Sequence, residues 1–120
     1  MKQFCVFLWM IICTSSVWAY NQGDWVLGQW KGNAYWYPAV VESHRGTSVT
    51  MVYDDGTRET RPENQVKPYD WKVGSKVECD WKGGGKWYAG RITRLNVTDL
   101  SIAYDDGDKE DTHTGSCRSR

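Results

Sequence analysis

The residues of this chain with the clearest chemistry are aromatic rings accompanied by a carboxylate. Trp30 is followed seven positions later by Tyr37, and Tyr53 is followed two positions later by Asp55. The π-face of an indole or a phenol attracts a cation, and a carboxylate beside it balances the positive charge. The pattern therefore favours a site for a cationic group.

The same order of residues occurs twice. Thirteen residues between positions 23 and 59 recur 51 positions later without a gap, which indicates a duplicated unit of about 45–50 residues. The stretch "VYDDG" in the first unit corresponds to "AYDDG" in the second. The predicted ligand-binding residues are Trp30, Tyr37, Tyr53 and Asp55 in the first unit, and Trp81, Tyr88, Tyr104 and Asp106 in the second.

The alternative for any single ring is packing, because large aromatic side chains fill small cores efficiently. We interpret Trp25, Trp36 and Trp87 in this way. The repeated residues differ, because Trp30 ends a predicted strand, Tyr37 begins the next one and Tyr53 ends the third. Strand ends converge at one mouth of a small barrel, where rings stay half exposed.

In the predicted strands that position these residues, inward and outward side chains alternate with a period of two. Val49, Met51 and Tyr53 fall on one face of a strand, and Asp-Gly pairs predict hairpin turns at Gly56 and Gly107. No segment after residue 20 has a helical period, and residues 62–66 suggest only a tight turn. We predict an all-β protein with two tandem five-stranded barrels, at 20–69 and 70–120, joined by a short, stiff segment at 67–73.

Residues 1–19 are predicted to be a signal peptide. Lys2 precedes the apolar run "FCVFLWMIIC", and Val17 and Ala19 suit a signal-peptidase site. A membrane anchor is the alternative, but ten strongly apolar residues are about half of the ~20 that a spanning helix needs. We therefore predict cleavage after Ala19, secretion, and no membrane association of the mature chain.

Two cysteines remain after the predicted cleavage, Cys79 and Cys117. A pair of cysteines in a small secreted domain predicts a disulfide, which here would pin the last strand of the second barrel to its first strand. Two free thiols are the alternative if the leader is not a signal peptide. Asn96, in the sequence Asn-Val-Thr, is a predicted glycosylation site in the secretory pathway.

Charge and motif content argue against several functional classes. The 15 basic residues are matched by 15 acidic ones, so the basic patch that nucleic-acid binding requires is not expected. His44 and His113 are isolated, and no nucleophile or metal-ligand spacing accompanies them. The acidic run "DDGDKED" lacks the spacing of a calcium loop and reads as a solvated hairpin. We predict a non-enzymatic protein without a cofactor or metal.

The two units resemble tandem Tudor domains of the methyl-lysine-reading kind. The resemblance rests on "WKGNAYWY" and "WKGGGKWY", each followed by a strand that ends in Tyr-Asp-Asp-Gly, and it covers nearly all of residues 23–118. It implies SH3-like barrels whose aromatic cages consist of the eight residues named above. Related proteins often contribute a fourth ring just after the Asp-Gly turn. Thr57 and Asp108 occupy those positions here, so both cages are predicted to be more open.

The resemblance and the leader point to different compartments, because histone tails are nuclear whereas a signal peptide directs secretion. We therefore predict a partner protein or peptide with a cationic group, either a lysine or arginine side chain or its methylated form; a quaternary ammonium such as choline is a further option. The alternative function is a structural or interaction module whose mouth rings pack the two barrels together or dock a partner without recognising a cation.

Overall fold

The computed structural model of the chain describes residues 19–120, and the predicted signal peptide at 1–19 lies outside this range except for Ala19. The described residues form two five-stranded antiparallel sheets. The first contains β1 (Trp25–Gly28), β2 (Tyr37–Arg45), β3 (Ser48–Tyr53), β4 (Arg58–Pro62) and β5 (Val66–Pro68). The second contains β6 (Lys76–Asp80), β7 (Trp87–Asn96), β8 (Asp99–Tyr104), β9 (Lys109–His113) and β10 (Cys117–Arg118).

The strand order is the same in both sheets. It is β4-β3-β2-β1-β5 in the first and β9-β8-β7-β6-β10 in the second, so the last strand of each unit pairs with its first. The long strands β2 and β7 each shift register at the same point of the repeat, between Val41 and Ser43 and between Ile92 and Arg94. Such bulges bend a strand and let a small sheet curl into a barrel. The prediction of an all-β fold with two five-stranded barrels is confirmed.

The core of the first barrel follows the predicted alternation. The inward residues of β1 to β3 are almost completely buried, and Val66 on β5 closes the same cluster. Tyr20 also belongs to it: the phenol donates a hydrogen bond to the carbonyl oxygen of Val66 at 3.2 Å. The backbone N–H of Tyr20 donates to Nδ1 of His44 at 3.0 Å. The inward residues are Val26, Ala39, Val41, Val49, Met51 and Tyr53.

A disulfide between Cys79 and Cys117 closes the second barrel, as predicted. The two cysteines lie directly opposite each other on β6 and β10. Because β10 has only two residues, it contributes few backbone hydrogen bonds of its own. The covalent bond therefore replaces part of the pairing that the longer β5 provides in the first barrel.

The two barrels pack against each other through side chains that face away from their own cores. Leu27 is fully buried, on the opposite face of β1 from Val26, and joins the core cluster of the second barrel with Trp71. The hydroxyl of Thr114 donates a hydrogen bond to a carboxylate oxygen of Asp54, across the barrel interface. A bridge between Trp36 and Ser119, with hydrogen bonds of 2.8 and 2.9 Å, adds a further connection.

A difference between the repeats lies in the hairpin that joins the second and third strands of each barrel. Gly46 occupies this turn in the first barrel with φ 58°, and Val97 occupies the equivalent place in the second with φ 57°. The left-handed region is open to glycine but strained for a β-branched residue. Asn96, the predicted glycosylation site, is exposed at the end of β7 beside this turn. Among the described residues, no helix is long and apolar enough to cross a membrane.

Candidate cation-binding cavities

All four predicted residues of the first unit line one cavity of about 430 Å³, called here the first cavity. Trp30 lies in a 3-10 turn directly after β1, Tyr37 begins β2 and Tyr53 ends β3. The rings of Trp30 and Tyr37 meet edge to face at 6.5 Å, and those of Tyr37 and Tyr53 at 6.2 Å. The whole lining comprises Trp30, Tyr37, Pro38, Tyr53, Asp54, Asp55, Thr57, Asp80, Trp87, Gly115, Ser116 and Arg118.

The four predicted residues of the second unit also lie together, around a cavity of about 150 Å³, called the second cavity. Its rings repeat the edge-to-face geometry, with Trp81 and Tyr88 at 6.4 Å and Tyr88 and Tyr104 at 6.4 Å. Asp106 and Asp108 complete the lining. The duplication in sequence thus produces two aromatic clusters of the same internal geometry.

A glutamate that lines neither cavity holds each cluster in place. One oxygen of Glu59 accepts a hydrogen bond from the Tyr53 hydroxyl at 2.8 Å, and the other accepts one from the backbone N–H of Lys31 at 2.9 Å. Lys31 has φ 53°, a left-handed conformation that few non-glycine residues adopt. The carboxylate therefore fixes both the strained turn that carries Trp30 and the orientation of the Tyr53 ring.

The second unit repeats this arrangement. The Tyr104 hydroxyl donates to Glu110 at 2.6 Å, the N–H of Lys82 donates to the same carboxylate at 3.0 Å, and Lys82 also has φ 53°. Burial, together with the glutamate hydrogen bond, raises the pKa of both Tyr53 and Tyr104 well above the usual range. Both phenols therefore stay protonated and neutral. Only 4% of the surface of Tyr53 and 5% of that of Tyr104 is exposed, so the prediction of half-exposed rings is wrong for these two residues, which form the floor of each cluster.

Each cluster contains an indole that already contacts an ammonium group of the chain. Nζ of Lys31 lies 4.6 Å from the ring centroid of Trp30, and Nζ of Lys82 lies 4.9 Å from that of Trp81. Neither lysine lines a cavity. The local environment of both indoles thus accommodates a positive charge within the distance of a cation–π interaction.

The carboxylates make both cavities acidic. Asp54, Asp55 and Asp80 line the first, whereas Asp106 and Asp108 line the second. One oxygen of Asp55 accepts the N–H of Thr57 and one of Asp106 accepts the N–H of Asp108, each at 2.9 Å. The turn therefore uses one oxygen of each predicted counter-charge and leaves its other oxygen available for a ligand.

The main feature that sequence reasoning missed is the contribution of the second barrel to the first cavity. Trp87, interpreted from sequence as a packing residue, lies edge to face with Tyr37 at 6.4 Å and lines the cavity. Trp87 thus supplies a fourth ring to the first cavity, where Thr57 stands at the position from which related proteins often contribute one. Alternation along β7 indicates that Trp87 points away from the core to which Ile92 belongs, but the sequence alone does not show that the first barrel faces it.

Arg118 is the second missed residue of the first cavity. Its guanidinium lies 3.7 Å from the ring centroid of Tyr35 and 4.4 Å from that of Trp87. It also donates to Glu78 at 3.0 Å and to the hydroxyl of Tyr37 at 3.3 Å. These contacts occupy the arginine, so it joins β10 to the first barrel and its charge is balanced by Glu78.

Two further observations concern residues outside the two cavities. Trp25, also interpreted as a packing residue, meets Tyr69 edge to face at 5.6 Å but has 49% of its surface exposed and lines neither cavity, so it packs at the surface and not in a core. Within residues 19–120, no three or more His, Cys, Asp and Glu side chains form a group that could hold a metal ion.

No protein-family model matches the chain, and no curated protein is detectably similar in sequence. Several solved structures are similar in shape, including the three that follow. The tandem Tudor domains of Crb2 share 17% identity with a TM-score of 0.56, over 86% of this chain and 82% of theirs.

The second structure contains tandem Agenet domains, and the third is AGD34 of a plant protein. Domains 3–4 of ADCP1 share 16% identity with a TM-score of 0.38, over 82% of this chain and 79% of that one. AGD34 of Arabidopsis thaliana AGDP1 shares 16% identity with a TM-score of 0.39, over 82% of this chain and 81% of that one. Only the Crb2 superposition is close enough to compare folds, and at this identity it concerns the fold alone. The chain therefore has the fold of tandem Tudor domains.

Proposed function

We propose that this protein is a non-enzymatic binding protein whose two aromatic cavities hold cationic groups of a partner protein or peptide. The observation that supports this most strongly is the double occurrence of one arrangement: three rings and a carboxylate lie around an open cavity in each barrel. A core needs rings, but it needs neither an opening nor an acidic rim. Lysine and arginine side chains, methylated or not, have the charge and the apolar surface that such a cavity binds.

Methylation favours this kind of site, because a methylated ammonium keeps its charge but has fewer hydrogen bonds to water. Each ring contact contributes about 0.5–2 kcal/mol, so several rings give an affinity in the micromolar range. The two cavities differ in size, about 430 Å³ against 150 Å³. We expect the second to take only a small ammonium head and the first to accept a larger group such as a methylated guanidinium.

The proposal includes secretion, and the cysteine pair supports it. The disulfide between Cys79 and Cys117 closes the second barrel, and such bonds persist in oxidising compartments. Asn96 is exposed at the end of β7, where a glycosyltransferase can reach it. The ligand is then a cationic group on an extracellular partner. Mass spectrometry of protein recovered from culture medium tests this, and an intact Met1 would contradict it.

The alternative function, rings that only pack the two barrels, receives specific support at one residue. Tyr37 contacts Trp87 of the other barrel and accepts a hydrogen bond from Arg118. The aromatic partners and the cavity lining that Trp81 and Tyr88 have within residues 19–120 belong to the second barrel, and 37% and 43% of their surfaces are exposed. Inter-barrel packing therefore accounts for part of the first cavity but not for the second.

Titration of the labelled protein with methyl-lysine, methyl-arginine and choline tests the cation proposal. The indole N–H signals of Trp30 and Trp81 are expected to shift, whereas that of the exposed Trp25 serves as the internal control. If neither cavity indole responds at millimolar ligand, the proposal is wrong.

A further inference from the structure

The two cavities share one wall. Asp80 and Trp87 are paired across β6 and β7 and both line the first cavity. The residues that follow them, Trp81 and Tyr88, line the second. Trp87 and Tyr88 are successive residues of β7 and therefore point to opposite faces, while Trp81 begins the 3-10 turn that follows β6. The end of the β6–β7 ribbon thus lies between the two cavities.

The shared wall limits the distance between the two sites. Packed sheets lie about 10 Å apart, so one ribbon with side chains on both faces is on the order of 10 Å thick. A chain that crosses the rim of this wall covers roughly 10–15 Å. Extended chain advances about 3.3 Å per residue, which corresponds to roughly three to five residues.

The charge around the shared wall complements a ligand with two positive groups. Carboxylates lie on both sides of it, with Asp55 and Asp80 at the first cavity and Asp106 and Asp108 at the second. Among the residues that line the two cavities the only basic one is Arg118, and its ion pair with Glu78 at 3.0 Å balances it. Carboxylates therefore attract each of two cations on one ligand, while the ammonium groups nearest to the clusters, those of Lys31 and Lys82, lie over Trp30 and Trp81 but outside the cavity linings.

We propose that one extended peptide segment fills both cavities at once, with two cationic side chains about three to five residues apart. This inference rests on the proposed function, namely that each cavity holds a cation. It adds the spacing and the number of charges that the partner must have. Joining two weak binding groups at a suitable distance raises affinity about 10²-fold or more, because the second group binds from a high local concentration.

Peptides in which the second trimethyl-lysine stands one to eight positions after the first test the inference by calorimetry with the purified protein. The expected result is one peptide per protein, with affinity highest at three to five residues and at least tenfold above that of a peptide with one trimethyl-lysine. Peptides in which norleucine replaces one trimethyl-lysine keep the length and remove a charge. They are expected to bind like the single-cation peptide.

Variants test whether the higher affinity of the two-cation peptide depends on both cavities. Trp30→Ala and Trp81→Ala should each reduce the two-cation peptide to single-cation affinity, whereas Trp25→Ala, an exposed indole outside both cavities, should leave it unchanged. Asp55→Asn and Asp106→Asn are milder variants that serve if an alanine variant does not fold. Single-cation binding without any dependence on spacing, or two peptides per protein, would overturn the inference alone. No binding of any cation would overturn the proposed function as well.

Discussion

The two barrels present the same cluster of rings in different surroundings. The mouth of the first barrel faces the outer side of the second, which adds Trp87, Asp80 and Arg118 to its cavity. The mouth of the second barrel is lined by its own residues alone. A duplicated sequence has thus produced one composite cavity and one simple cavity, because a tandem pair that packs end to side covers only one of its two mouths.

The largest expected effect concerns the way each barrel is closed. Replacing both cysteines, Cys79→Ala with Cys117→Ala, is expected to lower the free energy of unfolding by about 3–4 kcal/mol. A crosslink over 38 residues restricts the unfolded chain by roughly that amount. Denaturant unfolding followed by tryptophan fluorescence measures the loss, and reductant should reproduce it in the parent protein. A change below about 1 kcal/mol would show that β10 needs no covalent bond.

The next effect concerns the contact that places the second barrel over the first cavity. A Cβ at Gly115 would lie 2.9 Å from the backbone carbon of Asp54, so Gly115→Ala should force the barrels apart and cost about 1–3 kcal/mol. Asn64 occupies the equivalent place in the first barrel and is exposed, so Asn64→Ala is the matched control. Indole signals of Trp30 and Trp87 should shift while that of Trp81 stays. Equal shifts at Trp30 and Trp81 would contradict a composite first cavity.

A smaller effect distinguishes Trp87, which lines only the first cavity, from the three rings that have counterparts in both cavities. Trp87→Ala is expected to weaken cation binding at the first cavity about fivefold, near 1 kcal/mol for one ring contact, and to leave the second cavity unchanged. Titration with trimethyl-lysine, followed at Trp30 and Trp81, distinguishes the two sites. Unchanged affinity at Trp30 would mean that Trp87 only packs.

The smallest expected effect is on stability, and it has opposite signs at the equivalent turns of the two barrels. Val97→Gly should stabilise the second barrel and Gly46→Val should destabilise the first, each by roughly 0.5–1 kcal/mol. The strain of valine at φ 57° exceeds the extra chain entropy that glycine loses on folding. Thermal unfolding of the two variants measures both changes. Destabilisation by Val97→Gly would indicate that contacts of the valine side chain outweigh its strain.

The sequence was sufficient to predict each barrel and the cluster at its mouth. Alternation with a period of two identified the buried residues of β1 to β3, and the 51-residue repeat brought Trp30, Tyr37 and Tyr53 together. Glu59 and Glu110 were also visible as repeated residues. Their role was missed because the carboxylate binds a backbone N–H from which two strands, β2 and β3 in the first barrel, separate it along the chain, and such a contact leaves no spacing signal in the sequence.

The contacts between the barrels could not be predicted, because they use residues at which the two copies differ. Thr114 and Gly115 replace Glu63 and Asn64, and Arg118 replaces Lys67. A repeat is recognised by what it keeps, whereas an interface between unequal surfaces depends on what has changed. Trp87 has an equivalent in the first barrel, Trp36, but only Trp87 lines one of the two cavities.

The disulfide has a consequence for how a duplicated chain reaches its correct connectivity. Because the two sheets have the same strand order, β5 and β10 compete as closing strands for either barrel while the chain folds, and exchange of equivalent strands is a typical error of repeat proteins. Within residues 19–120, Cys117 is the only cysteine that can form a bond with Cys79; β5 carries Val66 at the equivalent place, opposite Gly28. The cysteine pair therefore distinguishes the second closing strand from its copy and fixes the correct assignment with a covalent bond.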